Sequence, residues 1–195
     1  MWGCEQVCGA LRGALFGLVV FASASIGAIP DAGAAPSIPD IDSLIDDSGP
    51  LPSRVEDLNA LPALWFKTAT GLTCHQRTSK VTHQISCAGL LPGQPEGTHI
   101  ADLQSAYSSG LGPAQFVAKT SDEFFGGPPP LDPVPLSVGH KIVFWNFPGT
   151  ESLACGVPVS ADLVCVLKAP REIGPRKGPP VTHGFVIGAP ASRVF

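Results

Sequence analysis

The run Leu72-Thr-Cys-His-Gln-Arg-Thr-Ser-Lys-Val-Thr-His-Gln-Ile-Ser-Cys-Ala-Gly-Leu-Leu-Pro92 decides how the chain folds. From Val81 onward, Val81, His83, Ile85 and Cys87 alternate with Thr82, Gln84 and Ser86. A period of two with β-branched residues predicts a strand. Placing Cys74 opposite Cys87 pairs His75 with Ser86, Gln76 with Ile85, Arg77 with Gln84 and Thr78 with His83, with the turn at Ser79 and Lys80. Residues opposed in an antiparallel ladder lie about 4.5–5.5 Å apart at Cα, within disulfide range.

A shorter version recurs as Leu153-Ala-Cys155 and Leu163-Val-Cys165 around a turn near Val159 to Asp162. Each loop closed this way would constrain the unfolded chain by about 3 kcal/mol. Four cysteines allow three pairings, and the local one, Cys74–Cys87 with Cys155–Cys165, is preferred because each bond brackets a hairpin-like segment. Neither pair has the Cys-x-x-Cys spacing of a zinc site, so no metal is expected.

The composition is 44% hydrophobic and 14% charged, with a formal charge of −4. No basic excess is present to collect phosphates, so nucleic acid is not an expected partner. Glycine (22) and proline (21) are frequent, as in a chain of short strands joined by turns. Residues 1–34 read as a secretory signal peptide: Arg12, the apolar run Leu15 to Ala22, and Ala32-Gly-Ala34 as a small-x-small cleavage site. The alternative is a retained anchor. Cys4 and Cys8 would leave with the peptide, and the remaining even number of cysteines suits an oxidising compartment.

Residues 35–63 form an acidic, proline-punctuated leader. Ile38, Ile41, Leu44 and Ile45 sit at helical spacing and predict a short docked helix, with a flexible leader as the alternative. Ser53-Arg-Val-Glu56 has the capping-box pattern and predicts a turn or two with Val55, Leu58 and Leu61 inward. Residues 64–195 are expected to form one β domain. Its strands begin at Trp65-Phe66 and continue at Thr98 to Leu103 and Gln115 to Lys119. Ser121 to Pro135 is expected to be irregular, with polyproline geometry at Pro128-Pro-Pro130. Ile142, Val143, Phe144 and Trp145 are consecutive apolar residues and predict a strand buried on both faces. No charged residue interrupts Val181 to Ser192, so the last strand should be central or covered.

No Gly-x-Ser-x-Gly elbow, His-Glu-x-x-His or phosphate-binding loop is present. His75, His83, His99, His140 and His183 are as well explained by hydrogen bonds at strand ends as by catalysis, and no catalytic residue or cofactor is assigned. Ser137, His140 and Asp132 could be drawn as a triad, but geometry identifies triads, not spacing. Two candidate partner contacts remain. Phe124 and Phe125 stand at the tip of the proline-rich stretch, where packing back on the sheet is the favoured alternative. Arg171, Arg176 and Lys177 form a basic segment that could meet an anionic envelope polymer or another envelope protein.

The signal-peptide pattern, the run Ser86-Cys-Ala-Gly-Leu-Leu-Pro-Gly-Gln-Pro-Glu-Gly97, the strand at His140, the second cysteine pair and His183-Gly-Phe-Val-Ile-Gly-Ala-Pro190 resemble a family of small secreted, disulfide-containing actinobacterial proteins of the mycobacterial type. The resemblance covers roughly Trp65 to Phe195. It implies secretion, disulfides, a β-rich fold and an aromatic near the end of the last strand, a place Phe195 can fill. It brings no functional residue. The expected architecture is mostly β: a single small barrel or sandwich of about seven to nine strands. The expected function is a non-enzymatic binding module, secreted or held at the cell envelope. A small secreted hydrolase with a histidine-based site is the alternative.

Overall fold

A computed structural model describes residues 37–171 and 179–195. The signal-peptide reading of residues 1–34, and Arg176 and Lys177 of the basic segment, lie outside them.

The strands, in chain order, are β1 (Ile45–Asp46), β2 (Leu64–Thr68), β3 (Thr73–Thr78), β4 (Thr82–Ala88), β5 (Ile100–Ala106), β6 (Gly110–Leu111), β7 (Gln115–Val117), β8 (Val134–Leu136), β9 (His140–Phe147), β10 (Glu151–Gly156), β11 (Leu163–Pro170), β12 (Pro180–Ile187) and β13 (Arg193–Val194). A 3-10 helix spans Val55–Ala60 and a short helix α1 spans Ser121–Phe125. Short edge strands raise the number above the seven to nine expected.

These strands form two sheets. One runs β1-β9-β10-β11-β12-β13; the other runs β6-β5-β4-β3-β2-β8, with β7 also on β5. Each is an antiparallel meander of four strands with a parallel strand added at one edge. Phe66, Ile85, Leu103, Leu136, Trp145, Leu153, Leu163, Leu167 and Phe185 fill one shared core between them. The result is a sandwich.

The cysteine hairpins carry the predicted register. Cys74 faces Cys87, with His75 opposite Ser86, Gln76 opposite Ile85, Arg77 opposite Gln84 and Thr78 opposite His83. Cys155 faces Cys165 in the other sheet. Both pairs are disulfide-bonded at the centre of their sheets, with Cα separations of 4.0 and 4.1 Å, and all four cysteines are fully buried. One detail differs from expectation. The turn between β3 and β4 is centred on Lys80 and Val81, because the backbone N–H of Ser79 donates to Thr82 O and the Ser79 Oγ accepts from the N–H groups of Val81 and Thr82.

The apolar run in β9 has a different cause from the one predicted. A bulge opposite Leu153 and Ala154 inserts an extra residue, so Phe144 and Trp145 both enter the core instead of alternating. Val143 stays half-buried on the outer face.

The leader is neither helical between Ile38 and Ile45 nor free. It turns at Ile41 and enters β1, which pairs in parallel with β9. Ile41 and Leu44 cover Val164 and Val186 on the outer face of the sheet, which is why the last strand tolerates an apolar sequence on both faces. Gly156 makes room for this: a Cβ there would lie 2.7 Å from Leu44 Cδ1. Only half of the predicted capping box forms, and one residue later: the Asp57 carboxylate accepts from the Arg54 N–H at 3.2 Å, while arginine has no acceptor to offer in return. Leu58 is fully buried and Leu61 packs against the core, but Val55 points outward. Ser121–Phe125, predicted irregular, is helical because the Thr120 Oγ1 accepts from the Glu123 N–H while Glu123 accepts from Thr120 in return.

The loop after β4 meets the segment that follows β12. Gly93 has a φ of 74°, and a Cβ on it would fall 2.5 Å from Ala191 Cβ. Ser192 N–H donates to Pro92 O, and Gln94 Nε2 donates to Ser192 O. Phe195 folds its ring over Gly184 in β12, and His183 Nδ1 lies 3.0 Å from Phe195 O. A Cβ at Gly184 would come within 2.3 Å of both Cys165 O and the Phe195 ring. Gly184→Ala is therefore expected to destabilise the fold by about 1–3 kcal/mol, as overpacking does. Urea unfolding measures it. Phe195→Ala should not relieve the loss, because the clash with the Cys165 carbonyl remains.

Candidate functional site at the open end of the sandwich

Because Cys87 faces the core, Ile85 and His83 on the same strand also face inward. His83 is the last of the three, at the end of the sandwich, where the apolar core stops. Its Nδ1 lies 2.5 Å from Glu151 Oε1, at the first residue of β10 in the opposite sheet. With the carboxylate ionised, the Nδ1–H donates. Side-chain exposure is only 18% for His83 and 10% for Glu151, so the pair joins the two sheets in a largely dry setting. Breaking such a pair leaves a charge or dipole without compensation. The Trp145 ring stands edge-on to the imidazole, at 5.3 Å between centroids.

A cavity of about 270 Å³ opens over this pair. The 3-10 helix provides Val55 and Asn59, the β3–β4 turn provides Lys80 and Val81, and the end of β5 provides Ser105 and Tyr107. Val55, Val81 and Tyr107 are 44%, 61% and 70% exposed, so the mouth carries apolar surface that the fold does not bury. Ser105 is directly opposite His83 in the β4–β5 ladder. Apolar walls with a few convergent polar groups are the usual make-up of a small-molecule site. Cavities elsewhere, around Val138 and Val159 or between Ser37 and Arg193, contain no histidine beside a carboxylate.

The other histidines are dispersed. His75 stacks on Trp65, with centroids 4.1 Å apart and planes 7° from parallel. His140 pairs with Asp47 at 2.8 Å, not with Asp132, and meets Ser137 only through the backbone. Among the described residues no three metal-ligating side chains converge. On the outer face of the β2–β5 sheet, Arg77 Nε donates to Gln84 Oε1, Gln84 Nε2 donates to Asp102 Oδ1, and Ser86 Oγ donates to the same oxygen. This network, buried at Gln84, Ser86 and Asp102, ties three strands together. The Ser86 proton is committed to Asp102, which makes the network structural.

Phe125 packs edge-on to Trp65 at 4.9 Å and to His75 at 5.9 Å, and Phe124 lies edge-on to Phe125. Both phenylalanines are half-buried. Arg171 is exposed just beyond β11, next to Pro170 on the cavity rim.

Glu151, Ser105 and Tyr107 carry no motif, and sequence reasoning passed over them. Parity was the available signal. Glu151 shares a strand face with Leu153 and Cys155, so a carboxylate in phase with two core residues must meet a partner inside.

No protein-family model, curated protein or solved structure matches the chain.

The His75 imidazole is held below its ordinary value of about 6.5, first by burial and then by the Arg77 charge. The unfolded chain therefore takes up a proton at a pH where the folded one resists it. The stability from this residue is complete above about pH 6.5 and is lost as pH falls toward the folded value. Between about pH 7 and about pH 5 the wild type should lose more resistance to urea than His75→Gln. Equal losses in the two proteins would contradict this assignment.

Proposed function

We propose that the chain is an exported binding module, secreted or held at the cell envelope, that takes a small ligand at the open end of its sandwich. Two buried disulfides suit an oxidising compartment, as does the signal-peptide pattern of residues 1–34. The observation that carries the reading is the mouth itself: exposed Val55, Val81 and Tyr107 above a paired, nearly buried imidazole and carboxylate. A ligand with a short apolar body and a hydrogen-bonding head matches both levels. The apolar part would cover the rim, and the head would meet His83 and Glu151. A volume near 270 Å³ limits the ligand to the small end of the range for such sites. Arg171 begins the basic segment at this same end, in keeping with an anionic envelope polymer as the wider partner.

A second reading, hydrolysis at a histidine-based site, is favoured by one observation. The His83–Glu151 contact occupies Nδ1 and leaves Nε2 as the nitrogen able to accept a proton.

Butyramide, a non-hydrolysable short-chain probe, tests the binding reading by amide NMR. Shifts should concentrate at Val81, Thr82, Ser105 and Tyr107, and Tyr107→Ala should weaken the apparent affinity several-fold. Shifts confined to other surfaces, or none at millimolar probe, would reject the site.

A further inference from the structure

We propose that the open end also performs acyl transfer, with Ser105 as nucleophile, His83 as general base and Glu151 as the residue that positions His83, acting on esters of short acyl chains. The inference rests on the open end being a ligand site and adds a chemical step to it.

The argument begins with register. His83 and Ser105 are opposed in an antiparallel ladder and project from the same face. Side chains so placed have Cβ atoms about 4.5–5.5 Å apart, which makes Ser105 and His83 immediate neighbours on the inner face. Both line the same cavity, and Ser105 is half-buried there. Glu151 reaches His83 from the opposite sheet and takes up Nδ1. A carboxylate on Nδ1 fixes the tautomer in which Nε2 is the base, which is the arrangement a serine nucleophile requires. The register thus sets Ser105 on β5 beside His83 on β4, and Glu151 meets His83 from β10. Ser86 fails the same test because its hydroxyl donates directly to Asp102. Asn59 and Lys80 line the cavity beside Glu56 and carry N–H groups that developing negative charge could meet, although Asn59 Nδ2 also donates to Glu56 O. The apolar rim and modest volume select a short acyl chain.

The step balances without a co-reactant other than water. Ser105 Oγ bonds to the ester carbonyl carbon as its proton passes to His83 Nε2. The carbonyl–alkoxy bond then breaks, and the alcohol leaves with that proton. Water next attacks the acyl-serine and gives its proton to Nε2. The acid leaves as Ser105 recovers a proton from His83.

The test uses the disulfide-bonded chain with a fluorophosphonate probe and p-nitrophenyl butyrate. Peptide mapping should find the phosphonyl adduct on Ser105. Ser105→Ala should lower ester turnover by at least about 100-fold, with a wild-type far-UV spectrum and urea midpoint showing that the fold is kept. Glu151→Gln should keep the adduct site but change the pH profile of turnover, which a merely structural role would not do. No adduct on Ser105 in the wild type, or turnover unchanged in Ser105→Ala, overturns the chemistry. If butyramide shifts at the mouth persist in that case, the binding reading survives alone. If they too are absent, both fall.

Discussion

The pairing of Cys74 with Cys87 is the constraint on which the rest depends. A cross-strand disulfide admits one register, and in a strand of period two the register decides which side chains face inward. With both cysteines in the core, Ile85 and His83 follow on β4, and Ala101, Leu103 and Ser105 follow opposite them on β5. A slip of one residue would send His83 to the outer face and bring Gln84 inward, leaving Glu151 without its partner. The Cys155–Cys165 bond does the same for the other sheet: it keeps Leu153 in the core and so turns Glu151 inward. Two sulfur links made for stability thus also aim the groups that meet at the open end.

The central hairpins were readable because alternation and cysteine spacing are local signals. The register of β3 and β4 followed from them residue by residue. The irregular parts were not readable, for identifiable reasons. Ile38, Ile41, Leu44 and Ile45 have helical spacing, yet the segment becomes a turn and a parallel edge strand because Ile41 and Leu44 then cover Val164 and Val186 on the outer face of the β9–β12 sheet. Tertiary burial overrode local periodicity. The four apolar residues of β9 imitated a doubly buried strand because a bulge breaks the alternation, and a bulge leaves no mark in composition.

The candidate site was half legible. The alternation puts His83 on the strand face of Ile85 and Cys87, but nothing in the sequence joins it to Glu151, 68 positions later. That meeting depends on how two sheets stack, which is a long-range packing outcome. The residues lining the cavity come from five separated segments and share no spacing. Their convergence is a property of the sandwich end, where the core thins and a polar pair can be buried with a route to solvent.

Mass mapping of a proteolytic digest prepared without reductant tests the central claim most directly. The account predicts one linked peptide joining Cys74 to Cys87 and a second joining Cys155 to Cys165. Free thiols at these positions, or links running from one hairpin to the other, would contradict it and remove the basis for placing His83, Ser105 and Glu151 together.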